Sequence, residues 1–261
     1  MNRRILGIAA FLVLCGLGFC RAEAGVLIPS SASVGPAGTE AGTGLDGAFY
    51  NGGGSTYLTS LAMADAIIAA GRPTATFLST SVDYPRGATT SVTDATTLGE
   101  FLGPDAASLS GGGASLLSTS VFHFTGYLKI TGDLDQVAGN SSIDVNFAVA
   151  SDDGFRLSIG GVEVIRYDGV RSFAASGALA SFQVAGLYAV DLVYYENQGS
   201  TGVEFYAGIP GSPGSHAPAG TLGLVPTSSL STAISTPEPP SLVLMGFGAL
   251  GLVIVRRRRR R

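Results

Sequence analysis

Two adjacent aspartates, Asp152 and Asp153, are the residues of this 261-residue chain that are best suited to chemistry. Calcium binds about six to eight oxygen ligands, and carboxylates are the ligands it prefers. Neighbouring carboxylates can both reach one ion only if the peptide between them has an unusual geometry. The simpler interpretation is a tight hairpin turn, because Gly154 follows and Asp-Gly is a preferred turn sequence. These residues alone leave both interpretations open.

The central part of the chain is strongly acidic. Between Gly25 and Thr236 there are six basic and 17 acidic residues, a formal charge of −11. Such a segment lacks the positive surface that binding of a phosphate backbone requires, so nucleic acid is excluded as a partner. Both cysteines, Cys15 and Cys20, lie near the N-terminus. Disulfide frameworks and zinc sites built from cysteine and histidine are therefore excluded from the central part.

The sequence contains no recognisable catalytic motif. It has no nucleophile elbow, phosphate-binding loop or metalloprotease helix. A glycosidase would need two opposed carboxylates, for which the 17 acidic residues suffice by number alone. We nevertheless predict a protein that is not an enzyme.

Short strands dominate the region that must position the aspartates. Hydrophobic residues alternate with other residues over 143–149, a period of two that is typical of a strand. The same alternation predicts further strands over 121–130, 156–159, 162–167, 178–184, 188–195 and 202–207. One helix is predicted over 61–70, capped by Thr59 or Ser60. Together these elements predict an all-β fold, an antiparallel β-sandwich or barrel with one short helix.

Flanking segments delimit this predicted sandwich, which we place at residues 42–208. Residues 25–41 are rich in glycine, alanine, serine and proline without periodicity, which predicts a flexible leader. Residues 209–236 combine prolines and glycines with a Ser/Thr stretch, which predicts a linker.

The N-terminus has the features of a secretory signal peptide, residues 1–24. Arg3 and Arg4 precede an apolar run over 5–19, and Ala22-Glu23-Ala24 forms a small-x-small cleavage site. A lipoprotein acylated on Cys20 is disfavoured by the bulky Phe19 before it. An uncleaved membrane anchor is disfavoured by the short apolar run.

Three features follow one another at the C-terminus, residues 237–261. Pro237-Glu238-Pro239 precedes an apolar run over 241–255, and six arginines end the chain. Fifteen helical residues span roughly 22 Å, short of the hydrocarbon core of about 30 Å. We predict a short transmembrane helix over 241–255 whose arginines stay on the cytoplasmic side. The three features resemble the PEP-CTERM sorting signal, which implies processing by an exosortase and only transient residence in the inner membrane.

A second resemblance covers most of the central part. Ser151-Asp152-Asp153-Gly154 is similar to a hairpin of the anthrax protective-antigen domain family. The segments Phe49-Tyr50-Asn51, Thr125-Gly126-Tyr127 and Tyr194-Tyr195-Glu196-Asn197 resemble its neighbouring strands in the expected order. The resemblance implies a β-sandwich that often binds carbohydrate, sometimes through calcium, with hydrolytic activity residing in other domains.

The same resemblance implies roles for three residues. In the lectins of this family an Asp-Asp pair, often joined by a cis peptide, holds calcium together with an Asn from a second loop. Asp152, Asp153 and Asn197 are the matching positions for binding metal and ligand. We expect an exported cell-surface or extracellular-matrix module that binds polysaccharide or another glycan with the help of calcium. The alternative is a structural matrix protein without a specific ligand.

Overall fold

Two β-sheets packed face to face form the body of the protein. The computed structural model describes residues 25–52, 57–87, 90–132, 142–208 and 222–235. The strands in these ranges are β1 Val26–Ile28, β2 Ser33–Gly35, β3 Glu40–Ala41, β4 Leu45–Asn51, β5 Ala75–Ser79, β6 Asp83–Tyr84, β7 Val92–Thr93, β8 Ser120–Ile130, β9 Ile143–Asp152, β10 Gly154–Ile159, β11 Val162–Tyr167, β12 Ala174–Phe182, β13 Gly186–Glu196, β14 Ser200–Gly208, β15 Gly223–Leu224, β16 Leu230–Ser231 and β17 Ala233–Ile234. The α-helices are α1 Leu61–Ala69 and α2 Leu98–Leu102.

The smaller of the two sheets has the order β1-β12-β9-β14-β15, with β6 and β7 also paired to β14. The larger has the order β11-β10-β13-β8-β4-β5, with β2 paired to β13 and β16 to β8. Except for the parallel β1–β12 pair, the pairing within both sheets is antiparallel. This architecture confirms the predicted all-β sandwich.

Aromatic side chains from the inner faces of both sheets fill the core. Phe122 and Phe124 of β8 stack at 6.2 Å between ring centroids, and Phe147 of β9 stacks on Phe205 of β14 at 5.9 Å. The period of two in β9 directs Val145, Phe147 and Val149 into this core, as predicted. The alternating residues of β9 are buried as well, because this strand lies between β12 and β14 in the middle of its sheet.

Helix α1 confirms the predicted helix. The Ser60 side chain accepts a hydrogen bond from the backbone of Met63, and Gly71 follows the helix with a φ of 76°. Its apolar face packs on the outer side of the larger sheet, where Leu61 and Ala64 lie in one cluster with Tyr195. Helix α2 was missed, although Thr97 and Glu100 form a capping box that is readable in the sequence.

The sandwich extends beyond the predicted bounds 42–208. Residues 25–41, expected to be a flexible leader, contribute β1 to the smaller sheet and β2 to the larger. Within the expected linker 209–236, β15 pairs with β14 and β16 pairs with β8. The composition of these two segments predicted a leader and a linker. Strands of two or three residues are too short to show a period of two, so the sequence carried no signal for them.

The segment Ser151-Asp152-Asp153-Gly154 is not a hairpin, which corrects the prediction. Strand β9 pairs with β12 and β14 in the smaller sheet, whereas β10 pairs with β11 and β13 in the larger. The two aspartates therefore lie at a corner where the chain crosses from one sheet to the other. The hairpin that follows joins β10 to β11 through Gly160 and Gly161, whose φ values of 60° and 76° favour glycine.

Candidate functional site

The sheet-to-sheet corner places two carboxylates in a nearly dry environment. Asp152 ends β9 and is 7% exposed, whereas Asp153 follows it and is 1% exposed. A cis peptide bond joins them. The family resemblance implied such a bond for an Asp-Asp pair.

Gly154 is required by a close approach rather than by a turn. It lies opposite Tyr195 in the register of β10 and β13, and its φ is not positive. A Cβ atom at this position would lie 2.4 Å from Cζ of the Tyr195 ring. The Tyr195 hydroxyl in turn donates to the carbonyl of Gly169 at 2.8 Å. The absence of a side chain at position 154 thus lets β13 pack directly beneath the corner.

Backbone amides hold the Asp153 carboxylate in place. Oδ1 accepts a hydrogen bond from the Arg171 N–H at 2.9 Å, and Oδ2 accepts one from the Asn197 N–H at 2.8 Å. The Ser151 hydroxyl donates to the Asp153 carbonyl at 2.6 Å. Asp153 is therefore fixed to two other loops, and each carboxylate oxygen retains a lone pair.

A third carboxylate, Glu196, completes the cluster and was missed as a site residue. It ends β13, is 0% exposed, and offers an oxygen within 4.8 Å of oxygens of Asp152 and Asp153. No other group of three or more potential metal ligands of the types His, Cys, Asp and Glu occurs in the described ranges. Leu192, Tyr194 and Glu196 alternate along β13, so the period of two could have placed this acid on the inner face.

Two oxygens beside the cluster are buried without a partner among the described residues, Glu196 Oε1 and Asn197 Oδ1. Burying a polar atom without a hydrogen bond costs about 1–3 kcal/mol. A bound ion or an ordered water commonly satisfies such atoms. Asn197, which the sequence assigned to the site, is joined to it through its backbone N–H, which donates to Asp153 Oδ2.

The Tyr194 hydroxyl connects the main chain of Asp152 to the end of β13. It is fully buried, donates to the Asp152 carbonyl and accepts from the Gly202 N–H at 3.2 Å. It also lies 3.3 Å from Glu196 Oε2 and 2.7 Å from the Thr201 hydroxyl. A phenol has one proton, so this hydroxyl cannot donate to the Asp152 main-chain carbonyl and to the Glu196 carboxylate at the same time. Glu196 Oε1 has no hydrogen-bond partner among the described residues.

The crowded, buried acids have raised pKa values. Burial and the charge of Asp153 raise the pKa of Asp152 to about 6. Burial also raises the pKa of Asp153, against the two backbone hydrogen bonds that lower it. Burial, together with the charges of Asp153 and Asp152, raises the pKa of Glu196 to about 9. The cluster therefore favours either bound protons or a bound cation.

The donor set fits a hard divalent cation. Three carboxylates converge, and Asn197, next to Glu196 in the chain, carries a buried amide oxygen. All of these are oxygen ligands of the kind that calcium binds. The set contains no histidine or thiolate, so it does not fit zinc or copper.

Other aromatic and polar side chains of the strands serve the fold itself. Tyr194, Tyr195 and Phe205 are fully buried in the cores, so they cannot stack on an external sugar. His123 Nε2 lies 3.1 Å from Asp191 Oδ2 on the outer face of the larger sheet. The predicted signal peptide 1–24, the helix 241–255 and the motif Pro237-Glu238-Pro239 lie outside the described residues. Among the helices of the described residues, none is long and apolar enough to cross a membrane.

Comparison with solved structures shows the class of the fold. The PA14 domain of the MpAFP antifreeze protein matches with a TM-score of 0.59 and 24% identity, over 75% of this chain and 94% of that one. The PA14 sugar-binding domain of an RTX adhesin matches with a TM-score of 0.57 and 24% identity, over 74% and 100%. The Epithelial Adhesin 6 A domain of Candida glabrata, solved with Galb1-3GlcNAc, matches with a TM-score of 0.50 and 13% identity, over 79% and 94%. The body of this protein therefore has a β-sandwich fold similar to that of PA14 domains.

Sequence comparison defines the C-terminus. Residues 235–260 match the PEP-CTERM protein-sorting motif, as the order Pro-Glu-Pro, apolar run and arginines predicted. This motif marks an exported protein that is sorted from a membrane-anchored state. No curated protein sequence matches the chain at a significant level.

Proposed function

We propose that this protein is an exported, non-catalytic module that binds polysaccharide or another glycan through calcium held at the sheet-to-sheet corner. Asp152, Asp153 and Asn197 supply oxygens to the ion. Glu196, at the end of β13, supplies a further carboxylate oxygen. The observation that carries the proposal is the convergence of three carboxylates, together with two buried oxygens, Glu196 Oε1 and Asn197 Oδ1, that have no hydrogen-bond partner among the described residues. A cation would satisfy both.

Calcium supplies coordination positions that neighbouring hydroxyls of a sugar can fill. The chain's own residues fix the ligand geometry beforehand: the N–H groups of Arg171 and Asn197 orient the Asp153 carboxylate. Because these donors belong to two different loops, the carboxylate does not have to reorganise when ligand arrives. Support for the carbohydrate comes from the fold, whose structural neighbours include a sugar-binding domain and an adhesin domain solved with a glycan.

Export and sorting place this site outside the cell. We propose that exosortase processes the chain near Pro237-Glu238-Pro239 after transient anchoring in the inner membrane. The mature protein then joins the cell surface or the extracellular matrix. The alternative function, a structural matrix protein with no specific ligand, has the same sorting and differs only at the corner.

Thermal unfolding with and without calcium tests the ion, and a glycan array in calcium or chelator tests the sugar. A ligand that binds only the folded state stabilises it by about 2.7 kcal/mol at a hundredfold excess over Kd. Calcium should raise the melting temperature of the wild type but not of Asp152→Asn. Asp191→Asn, on the outer face of the larger sheet, is the matched control and should respond like the wild type. Absence of a calcium shift together with a blank array would leave the structural alternative.

A further inference from the structure

Arg171 lies beside the carboxylates of Asp152 and Asp153 and forms no ion pair with either of them. Other basic residues of the described ranges do form such pairs: Arg86 with Asp105, Lys129 with Glu40, Arg156 with Asp65 and Arg166 with Glu163. The Arg171 guanidinium instead donates to neutral oxygens. Charge neutralisation therefore does not explain how the guanidinium of Arg171 is oriented.

This guanidinium contacts residues on four strands around the corner, β9 to β12. Nε donates to the Ser151 carbonyl at 3.2 Å and Nη2 to the Ser151 hydroxyl at 3.0 Å. Nη1 donates to the Ser176 hydroxyl on β12 at 2.8 Å. Its charged face lies 4.3 Å from the centroid of the Tyr167 ring and 5.3 Å from that of Phe155, which favours a cation.

We propose that Arg171 is a positioning residue for the ion-binding site, an inference that rests on the proposed calcium function. Its side chain fixes Ser151, whose hydroxyl donates to the Asp153 carbonyl, while its own N–H donates to Asp153 Oδ1. One residue thus holds Asp153 at both its main chain and its carboxylate. Because the guanidinium donates its hydrogen bonds to neutral oxygens, the outer lone pairs of the carboxylates stay available to a cation.

Electrostatics and positioning predict opposite results when the charge is removed. A positive charge near a cation site weakens cation binding, so its loss alone should strengthen binding. Loss of a residue that orients the ligands weakens it, by about 10- to 100-fold for outer partners of metal ligands. The sign of the change in affinity in Arg171→Met therefore separates the two roles.

The experiment is a terbium titration of the full-length chain in mild detergent, with the ion as a luminescent substitute for calcium. The protein has no tryptophan and nine tyrosines, so tyrosine sensitises the signal. Arg171→Met should weaken binding at least about tenfold, and Arg171→Lys should recover part of the loss. Arg156→Met, which breaks the ion pair with Asp65 away from the corner, is the control and should bind as the wild type does.

A second measurement follows amide hydrogen exchange by NMR in the metal-free protein. The N–H groups of residue 171 and Asn197 should exchange faster in Arg171→Met, because both donate to Asp153. Unchanged or tighter terbium binding, or unchanged protection of both amides in Arg171→Met, would overturn the positioning role. A wild-type chain that binds no ion would instead overturn the calcium function itself, so the two failures are distinguishable.

Discussion

The backbone N–H of Asn197 donates to Asp153 Oδ2 at 2.8 Å across 44 residues of chain. This bond ties the end of β13 in the larger sheet to the corner at which the chain leaves the smaller one. It also brings Glu196, the preceding residue, against Asp152 and Asp153. The candidate site is therefore a product of how the two sheets meet.

The two aspartates should differ in their effect on stability when no calcium is present. Asp153→Asn leaves one of two backbone N–H donors without its acceptor, so we expect a loss of about 1–3 kcal/mol. Asp152→Asn removes a buried charge whose pKa is raised to about 6, so it should leave the metal-free protein equally or more stable. Urea unfolding in chelator measures both. Equal losses in the two variants would contradict this assignment.

The stability of the metal-free protein should fall as the pH rises from 6 to 9. The pKa of Glu196 is about 9 in the folded protein against an ordinary value of 4.5. The folded state thus holds this proton more tightly than the unfolded state does. The resulting stabilisation is complete below about pH 4.5 and is lost as the pH passes through about 9.

Glu196→Gln should remove most of that pH dependence, because glutamine does not titrate. Melting temperatures in chelator at several pH values give the slope for each variant. Glu163→Gln, at a half-exposed position paired with Arg166, should keep the slope of the wild type. The assignment is refuted if Glu196→Gln and the wild type show the same slope.

Gly154→Ala should destabilise the protein by about 1–3 kcal/mol through overpacking. The added methyl group would lie 2.4 Å from Cζ of Tyr195, far inside contact distance. Gly223→Ala is the control, since nothing lies within 4 Å of a Cβ there. Chemical denaturation followed by far-UV circular dichroism compares them. A neutral Gly154→Ala would show that β13 can withdraw from the corner.

Asp105 should matter for stability but not for ion binding. It is buried and accepts hydrogen bonds from the Thr80 backbone and hydroxyl, the Tyr84 hydroxyl and Arg86. Asp105→Ala leaves these donors and the Arg86 charge uncompensated, for an expected loss of about 3–5 kcal/mol. Terbium affinity of the folded variant should equal that of the wild type. A change in affinity would mean that the corner depends on this distant network.

Sorting makes a prediction about the mature protein. Exosortase processing near Pro237-Glu238-Pro239 should remove the apolar run and the six terminal arginines. Mass spectrometry of extracellular material should therefore find chains that begin near Gly25 and lack Arg256 to Arg261. Extracellular protein that still carries those arginines would contradict the sorting proposal.

Much of this protein was predictable because its signals are local. The period of two located seven of the eight longest strands, all except β4, and Ser60 with Gly71 bounded α1. The order of Pro-Glu-Pro, apolar run and arginines identified the sorting motif. Asp152, Asp153 and Asn197 were singled out by family resemblance, and the structure places them together. In each case the information lies within a few neighbouring residues.

Tertiary structure decided what depends on pairing between distant segments. Periodicity does not say that β9 and β10 belong to different sheets, so the corner was taken for a hairpin. Glu196 became a site residue only through the register of β13, and Arg171 only through contacts with Ser151 and Ser176. The physical reason is that burial and hydrogen-bond partners are set by long-range closure of the sheets, whereas local sequence specifies only which face of a strand a side chain occupies.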